Sequence, residues 1–389
     1  MKILFTVESY YPKTSGVPVV VQYLAEGLVK RGNDVVVVTT SVKDRDSEEV
    51  YNGVHIHRFN LRKTLLKRYK GEIDRYRNFV ISQHADTNIF ECSECVTTDV
   101  LLPVLSRLDG KKIFHSHGFA GKLLPLFKWN VNIKYSLGNT YNWFRFKWYY
   151  GYYFKKYITM FDATICLSEI DSSREWLEKN AKKLYILQNA VDGMFLEPIS
   201  SVDIYPFNKL SKPYLVSVAT YSKQKNQIEI LNEFFKIKTD CALVFVGPSE
   251  TEYYNLLKSE LVQMYNKYGK QKDVFILLRI PRKEIPNVIG NASLYLCGSK
   301  FEEYSISLIE TMTKGVPFIS TNVGNARILP GGITIDDISE MHTYIDRLLA
   351  DKKTYDSLSA AGKAFVNENC RRDKAVEQLE KIIKEAWKS

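Results

Sequence analysis

No stretch of this 389-residue chain approaches the roughly 20 consecutive apolar residues that a membrane-crossing helix needs. The opening Lys2-Ile-Leu-Phe-Thr-Val7 meets Glu8 at once. That is too short for a secretory leader, so it reads as a first strand and the expected location is the cytoplasm. Cysteine is scarce, with six residues at 92, 95, 166, 241, 297 and 370. Cys92 and Cys95 form a C-x-x-C, but no second pair stands at ligand spacing, which argues against zinc, and nothing indicates a disulfide framework. The Gly-x-Gly-x-x-Gly of a dinucleotide binder is missing. So are helix-turn-helix, zinc-finger and RNA-recognition signatures, so nucleic acid is not the expected partner. Internal repeats and low-complexity runs are missing too. One gap is local: from Gly110 to Phe161 there is no Asp or Glu.

What is present is an ordinary globular composition, 45% hydrophobic and 25% charged. The net charge is +10, and the excess is uneven. Arg62 to Lys70 is one basic cluster. The acid-free segment interleaves Lys and Arg with aromatics, as in Trp143-Phe-Arg-Phe-Lys-Trp148 and Tyr149-Tyr-Gly-Tyr-Tyr-Phe-Lys-Lys156. Two readings stand side by side. Trp and Tyr beside cations suit an anionic membrane surface. Equally, the aromatics do not fall on one clean helical face, and the segment then reads as core with solvated lysines.

The length suits two domains rather than one. Ile3 to Val7, a helical pattern from Val17 to Lys30, and the four-valine run Val35 to Thr39 make a βαβ unit, hence a parallel sheet. Lys112 to His115, Ala163 to Leu167 and Tyr185 to Leu187 continue it. The stretch from Glu197 through Pro206 to Pro213 is polar and proline-punctuated, and reads as a linker. Strand patterns then resume at Tyr214 to Val218, Ala242 to Val246, Val274 to Leu278, Leu294 to Cys297 and Pro317 to Ser320, and helix dominates from Ile338. The fold class expected is α/β, with two doubly wound parallel sheets.

The densest signal is Phe301-Glu-Glu-Tyr-Ser-Ile-Ser-Leu-Ile-Glu310, running on to Thr311-Met-Thr-Lys-Gly-Val-Pro-Phe-Ile-Ser320. It predicts strand, polar loop, helix, stop and strand. Ser305 is placed to cap a helix starting near Ile306, Gly315 suits the left-handed C′ position, and Pro317 blocks continuation. Two carboxylates thus flank a helix N-terminus, an end that also presents free N–H groups to phosphate.

This segment resembles the Glu-x7-Glu motif of retaining nucleotide-sugar glycosyltransferases of the GT4 type (group 1), with Glu302 and Glu310 as the two acids and Met312, Gly315 and Pro317 as its closing residues. Glu303 and Ser305 stand where the family usually has glycine, and Tyr304 where it has phenylalanine. Further landmarks follow in order. Ser15-Gly16-Val17-Pro18 resembles the family's glycine loop, His115-Ser116-His117-Gly118 a histidine landmark, and Phe161 to Ser168 and Gln188 to Asp192 two more.

The resemblance implies a GT-B fold, two Rossmann-like domains facing a cleft. They would be an acceptor-side domain over 1–198 and a nucleotide-sugar donor domain over 199–371, with 372–389 crossing back as a C-terminal helix. It implies transfer of a sugar from a nucleotide-sugar donor, by default a UDP-sugar, to a glycan or lipid-linked glycan acceptor, with retention. No metal or other cofactor is implied, since no Asp-x-Asp stands where the other common transferase fold would place one. The expected site of action is the inner membrane face. Glu302 and His117 are the implied catalytic residues, with His115 the competing histidine. Gly16, Lys225, Ser305, Ile306, Ser307 and Glu310 are the implied donor-binding residues, while Ser299 and Asn189 shape the loop. An arginine that the family usually places five residues before its lysine is Thr220 here, and Lys223 or Arg279 is the expected substitute. Thr220 and the lost glycines also admit a catalytically inactive transferase-like partner protein, and a nucleotide-sugar epimerase is a third reading.

Overall fold

Val35 to Val38 are all buried, as β-branched residues must be in a strand covered on both faces. They lie in the second of ten described strands in the first half of the chain: β1 (Lys2–Thr6), β2 (Asp34–Thr40), β3 (Glu48–Tyr51), β4 (Val54–Phe59), β5 (Leu61–Lys63), β6 (Tyr69–Gly71), β7 (Thr87–Glu91), β8 (Lys111–His115), β9 (Ala163–Cys166) and β10 (Leu184–Ile186). Eight of them form one sheet in the order β10-β9-β8-β7-β1-β2-β4-β3, parallel except for the β3–β4 hairpin. The hairpin turns at Asn52 and Gly53, both at positive φ (49° and 82°), the backbone that a two-residue type I′ turn requires.

The computed structural model describes residues 1–13, 16–64, 69–119, 133–269 and 272–388, with side chains left undescribed over 133–139. The chain forms two compact units, 1–189 with 372–389, and 190–371. In the first, the closing helix Arg372–Trp387 lays Val376, Leu379, Ile382 and Ile383 inward. It meets the Val17–Lys30 helix where Gly27 leaves no room for a Cβ beside Val376.

The second unit carries β11 (Tyr214–Val218), β12 (Ala242–Gly247), β13 (Val274–Leu278), β14 (Leu294–Cys297), β15 (Phe318–Thr321) and β16 (Gly332–Ile335). All are parallel, in the order β13-β12-β11-β14-β15-β16. Between β14 and β15 the Ile306–Lys314 helix ends on Gly315 at φ 72°, the expected left-handed stop. The Ser305 cap is corrected. Ser305 occupies the N-cap position without accepting from a first-turn N–H, and its hydroxyl meets that of Ser307 at 3.1 Å.

The aromatic segment divides between its two readings. Tyr149, Tyr150 and Phe154 are buried, and Phe154 packs on Phe114 and Trp176 at ring-centroid distances of 5.0 and 5.7 Å. Tyr141, Phe144, Trp148 and Tyr152 are exposed. Part of the segment, 120–132, lies outside the described residues, as do residues 65–68 of the Arg62–Lys70 cluster. The C-x-x-C holds free thiols. Burial pushes that of Cys95 up to about 11 and raises that of Cys92 as well, which makes them poor nucleophiles and poor ligands.

Candidate active site

In a doubly wound sheet, ligands bind beyond the carboxyl ends of the strands where the order reverses. In the second unit that point lies between β11 and β14. The loop after β11 carries Lys225 and the loop after β14 carries Glu302, and the two side chains form an ion pair. Ser299 Oγ donates to the same Glu302 oxygen at 2.6 Å. The two loops are laced by backbone and side chain: Lys300 N–H donates to the Gln224 carbonyl at 2.8 Å, and Gln224 Nε2 to that of Phe301 at 3.0 Å. Behind them, Asn325 Oδ1 accepts from Ser305 N at 2.6 Å. Ile306 and Ser307 begin the helix, so their N–H groups belong to its unsatisfied first turn.

Glu310 sits one turn further along that helix and is buried. Burial pushes its carboxyl up to about 7, although the Arg282 guanidinium, 3.1 Å away, pulls it down. Arg282 itself is half exposed and lies over the Phe195 ring at 5.8 Å. Thr220, which stands where the family usually has arginine, has its carbonyl engaged by Gln227 Nε2. Lys223 and Arg279 were the expected substitutes. Both are exposed, as is Arg282, which pairs with the buried acid Glu310. Sequence reasoning missed Arg282 because it follows β13, two strands from the switch point; its signal was a Pro-Arg-Lys run directly after a strand.

The first unit reverses order between β1 and β7. Gly16, in the loop after β1, has φ 69° and opens the Val17–Lys30 helix; a side chain there would be strained. His117 follows β8 and is held at φ 52°. Its Nε2 lies 2.5 Å from Glu91 Oε2, and His115 Nδ1 lies 3.0 Å from the same oxygen. The two rings are 3.8 Å apart. Glu91, at the end of β7, is fully buried, which raises a carboxyl's pKa, yet the two imidazoles outweigh this and hold it down at about 2. Burial and the His115 ring lower His117 against the pull of Glu91. Glu91 carries no motif of its own, and sequence reasoning did not reach it. His115 Nε2 and Glu91 Oε1 are buried without partners.

Three ligand-type atoms of Glu91, His115 and His117 lie within 4.8 Å of one another. Ligands about 2.0–2.1 Å from a tetrahedral zinc would stand more than ~3 Å apart. The 2.5 Å approach of His117 to Glu91 is therefore a hydrogen bond, not a pair of metal ligands as arranged. Two more non-glycine residues at positive φ, Cys92 and Glu94, follow Glu91 closely. Such strain of about 1–3 kcal/mol each gathers where a site must be shaped. A cavity of about 480 Å³ opens here, lined among others by Glu8, Val17, Lys63, Glu91, Cys92 and Arg145.

Known proteins resemble both units. A family model described as "Glycosyltransferase Family 4" matches residues 14–193, and one described as "Glycosyl transferases group 1" matches 205–365. A phosphatidylinositol N-acetylglucosaminyltransferase polypeptide of Arabidopsis thaliana is 21% identical over 86% of this chain and 70% of its own length. An N-acetylgalactosaminyltransferase of Campylobacter jejuni that acts on N-acetylgalactosamine-N,N'-diacetylbacillosaminyl-diphospho-undecaprenol is 26% identical over 53% of each chain. Among solved structures, a sucrose-phosphate synthase of Thermosynechococcus elongatus superposes with a TM-score of 0.73 at 15% identity, covering 99% of both chains. The Anabaena protein HepE in complex with UDP and glucose gives 0.69 at 16%, covering 99% of this chain and 100% of its own. These likenesses are of fold, the GT-B arrangement of two parallel-sheet domains.

Proposed function

This chain belongs to the family 4, group 1 glycosyltransferases, and from that premise we propose that it moves a sugar from a UDP-sugar to a hydroxyl of a glycan or lipid-linked glycan, with retention and without a metal. The observation that carries the donor half is the pairing of Lys225 with Glu302 and of Arg282 with Glu310 around the start of one helix at the switch point. In the reaction the bond from the anomeric carbon to the β-phosphate oxygen breaks and a bond to the acceptor oxygen forms. The acceptor proton leaves with the diphosphate. Negative charge grows on that leaving group, and preorganised cations and N–H groups stabilise it most effectively in a site that excludes water. Lys225 and the first-turn N–H groups of Ile306 and Ser307 take the diphosphate, Glu310 accepts from the ribose hydroxyls, and Glu302 stands by the transferred sugar. The resemblance also assigns Gly16 of the first unit to the donor, and His117, clamped by Glu91, to sugar or acceptor hydroxyls. The relatives that name UDP or a lipid-linked acceptor favour those choices.

A thermal-shift panel of UDP, GDP and ADP tests this, because a ligand that binds only the folded state raises Tm by mass action. UDP is expected to raise Tm with or without chelator. Lys225→Ala and Glu310→Gln are each expected to weaken the effect at least tenfold in UDP concentration. No shift with any diphosphate, or unchanged binding by both variants, overturns the assignment.

A further inference from the structure

We propose that the aromatic pocket of the first unit is a binding subsite for the sugar rings of an extended acceptor, adjacent to the cavity at Glu91. The pocket holds about 520 Å³, within the range of small-ligand sites. Its walls are Tyr69, Tyr141, Phe144, Trp148, Tyr149 and Tyr153, with Asp99 and Arg145 completing the lining. The apolar faces of a pyranose are met by flat rings, with polar groups reaching its hydroxyls, and the described lining offers both.

The pocket is built rather than incidental. Asp99 is buried at its base and accepts from the hydroxyls of Tyr69 and Tyr149, each at 2.5 Å, which fixes two of the rings. The Ile133–Trp148 helix passes into a π-helical turn over Tyr149–Tyr153, where the Phe154 N–H donates to the Tyr149 carbonyl at 2.7 Å. The wider turn brings Trp148 and Tyr153 into a stack with centroids 5.4 Å apart and planes 14° from parallel. Such turns recur at functional sites because they redirect a helical face. Trp148 is 56% exposed, Tyr141 52% and Phe144 63%, so these faces are open to a ligand.

Arg145 is the wall between this pocket and the candidate site. It lines this pocket and the Glu91 cavity alike, and is fixed by two bonds to Glu94, at 2.6 and 3.1 Å. Lys63 Nζ donates to the Glu94 carbonyl at 2.6 Å from the other side. A chain of sugars with its reacting hydroxyl at the Glu91 and His117 end would pass this partition and place its next rings on Trp148. The inference rests on the proposed transferase reading for that direction of travel.

The test is intrinsic fluorescence with a panel of gluco- and galacto-oligosaccharides of two to four residues, alongside glucose, galactose and a short polyprenyl phosphate. Saturable quenching by at least one oligosaccharide is expected, at least tenfold tighter than by its monosaccharide, and lost in Trp148→Ala and in Tyr141→Ala/Phe144→Ala. Trp148→Tyr is expected to retain binding, read by calorimetry, and UDP thermal shifts are expected to stay as in the parent protein in every variant. Response to the polyprenyl phosphate alone, or no response to any sugar, overturns the subsite. Failure of UDP binding with oligosaccharide binding intact would sink the donor reading and leave the subsite standing.

Discussion

Glu310 is a residue whose two tasks oppose each other. Its carboxyl is raised to about 7 in the folded state by burial, against the pull of Arg282. Between the ordinary glutamate range and that value the folded chain holds a proton that the unfolded chain has released. Stability from this group is therefore full below about pH 4.3 and is lost as pH rises toward 7. The loss amounts to at most about 3 kcal/mol at neutral pH. Glu310→Gln, which cannot ionise, should have a higher Tm than the parent at pH 8 and little or no advantage at pH 5. UDP binding runs the other way, since ribose hydroxyls need the ionised acceptor. UDP affinity should climb through pH 7 in the parent protein, and Arg282→Ala, by removing the lowering influence, should move that climb to higher pH. Melting curves and calorimetry across pH 5–8.5 read both, and a UDP affinity flat across the range removes Glu310 from the site. The acids and Lys225 were legible because each lies in a local motif. Arg282 and Glu91 were not, because their partners are 28 and 26 residues away and strand order alone brings them together.

Among elements, the loop from β14 to the Ile306–Lys314 helix shows how little freedom the site has. Gly324, after β15, has φ 49°, and a Cβ on it would stand 2.5 Å from the Glu302 carbonyl oxygen. Its neighbour Asn325 holds the Ser305 N–H. Gly324→Ala must push the Glu302 loop or strain its own backbone, costing about 1–2 kcal/mol for the conformation alone. It is expected to lower Tm by several degrees and UDP affinity at least tenfold. Gly193→Ala, where nothing lies within 4 Å, is the control and should change neither. Equal behaviour of the two variants would mean that the loop is not braced from this side. The helix here, and strands β11, β13 and β14, were readable in sequence because apolar runs met clear stops. β7 was not. Thr87-Asn-Ile-Phe-Glu91 is buried throughout, but only its Ile and Phe are apolar, so no run of apolar residues marks it. The β3–β4 hairpin did carry its Asn-Gly signal, and the polar strands flanking it hid it.

At the scale of the whole molecule, alternation of strand and helix was enough to foresee two parallel sheets, and the distribution of charge was visible as well. What composition could not divide was the acid-free segment, because burial is a tertiary property. Its Tyr149, Tyr150 and Phe154 went inward, while Lys147, Lys155 and Lys156 stayed exposed. No described helix is long and apolar enough to cross a membrane. Near an anionic surface each lysine is worth about 1 kcal/mol. Three together give about 3 kcal/mol, a factor of over ~100 in partitioning. The protein is therefore expected to sediment with phosphatidylserine-containing vesicles at low salt and to be released as the Debye length shrinks from ~10 Å at 0.1 M toward ~3 Å at 1 M. Reversing Lys147, Lys155 and Lys156 to Glu should abolish sedimentation while leaving the UDP thermal shift intact. Binding to phosphatidylcholine vesicles as strong as to the anionic ones would show that charge does not guide this surface.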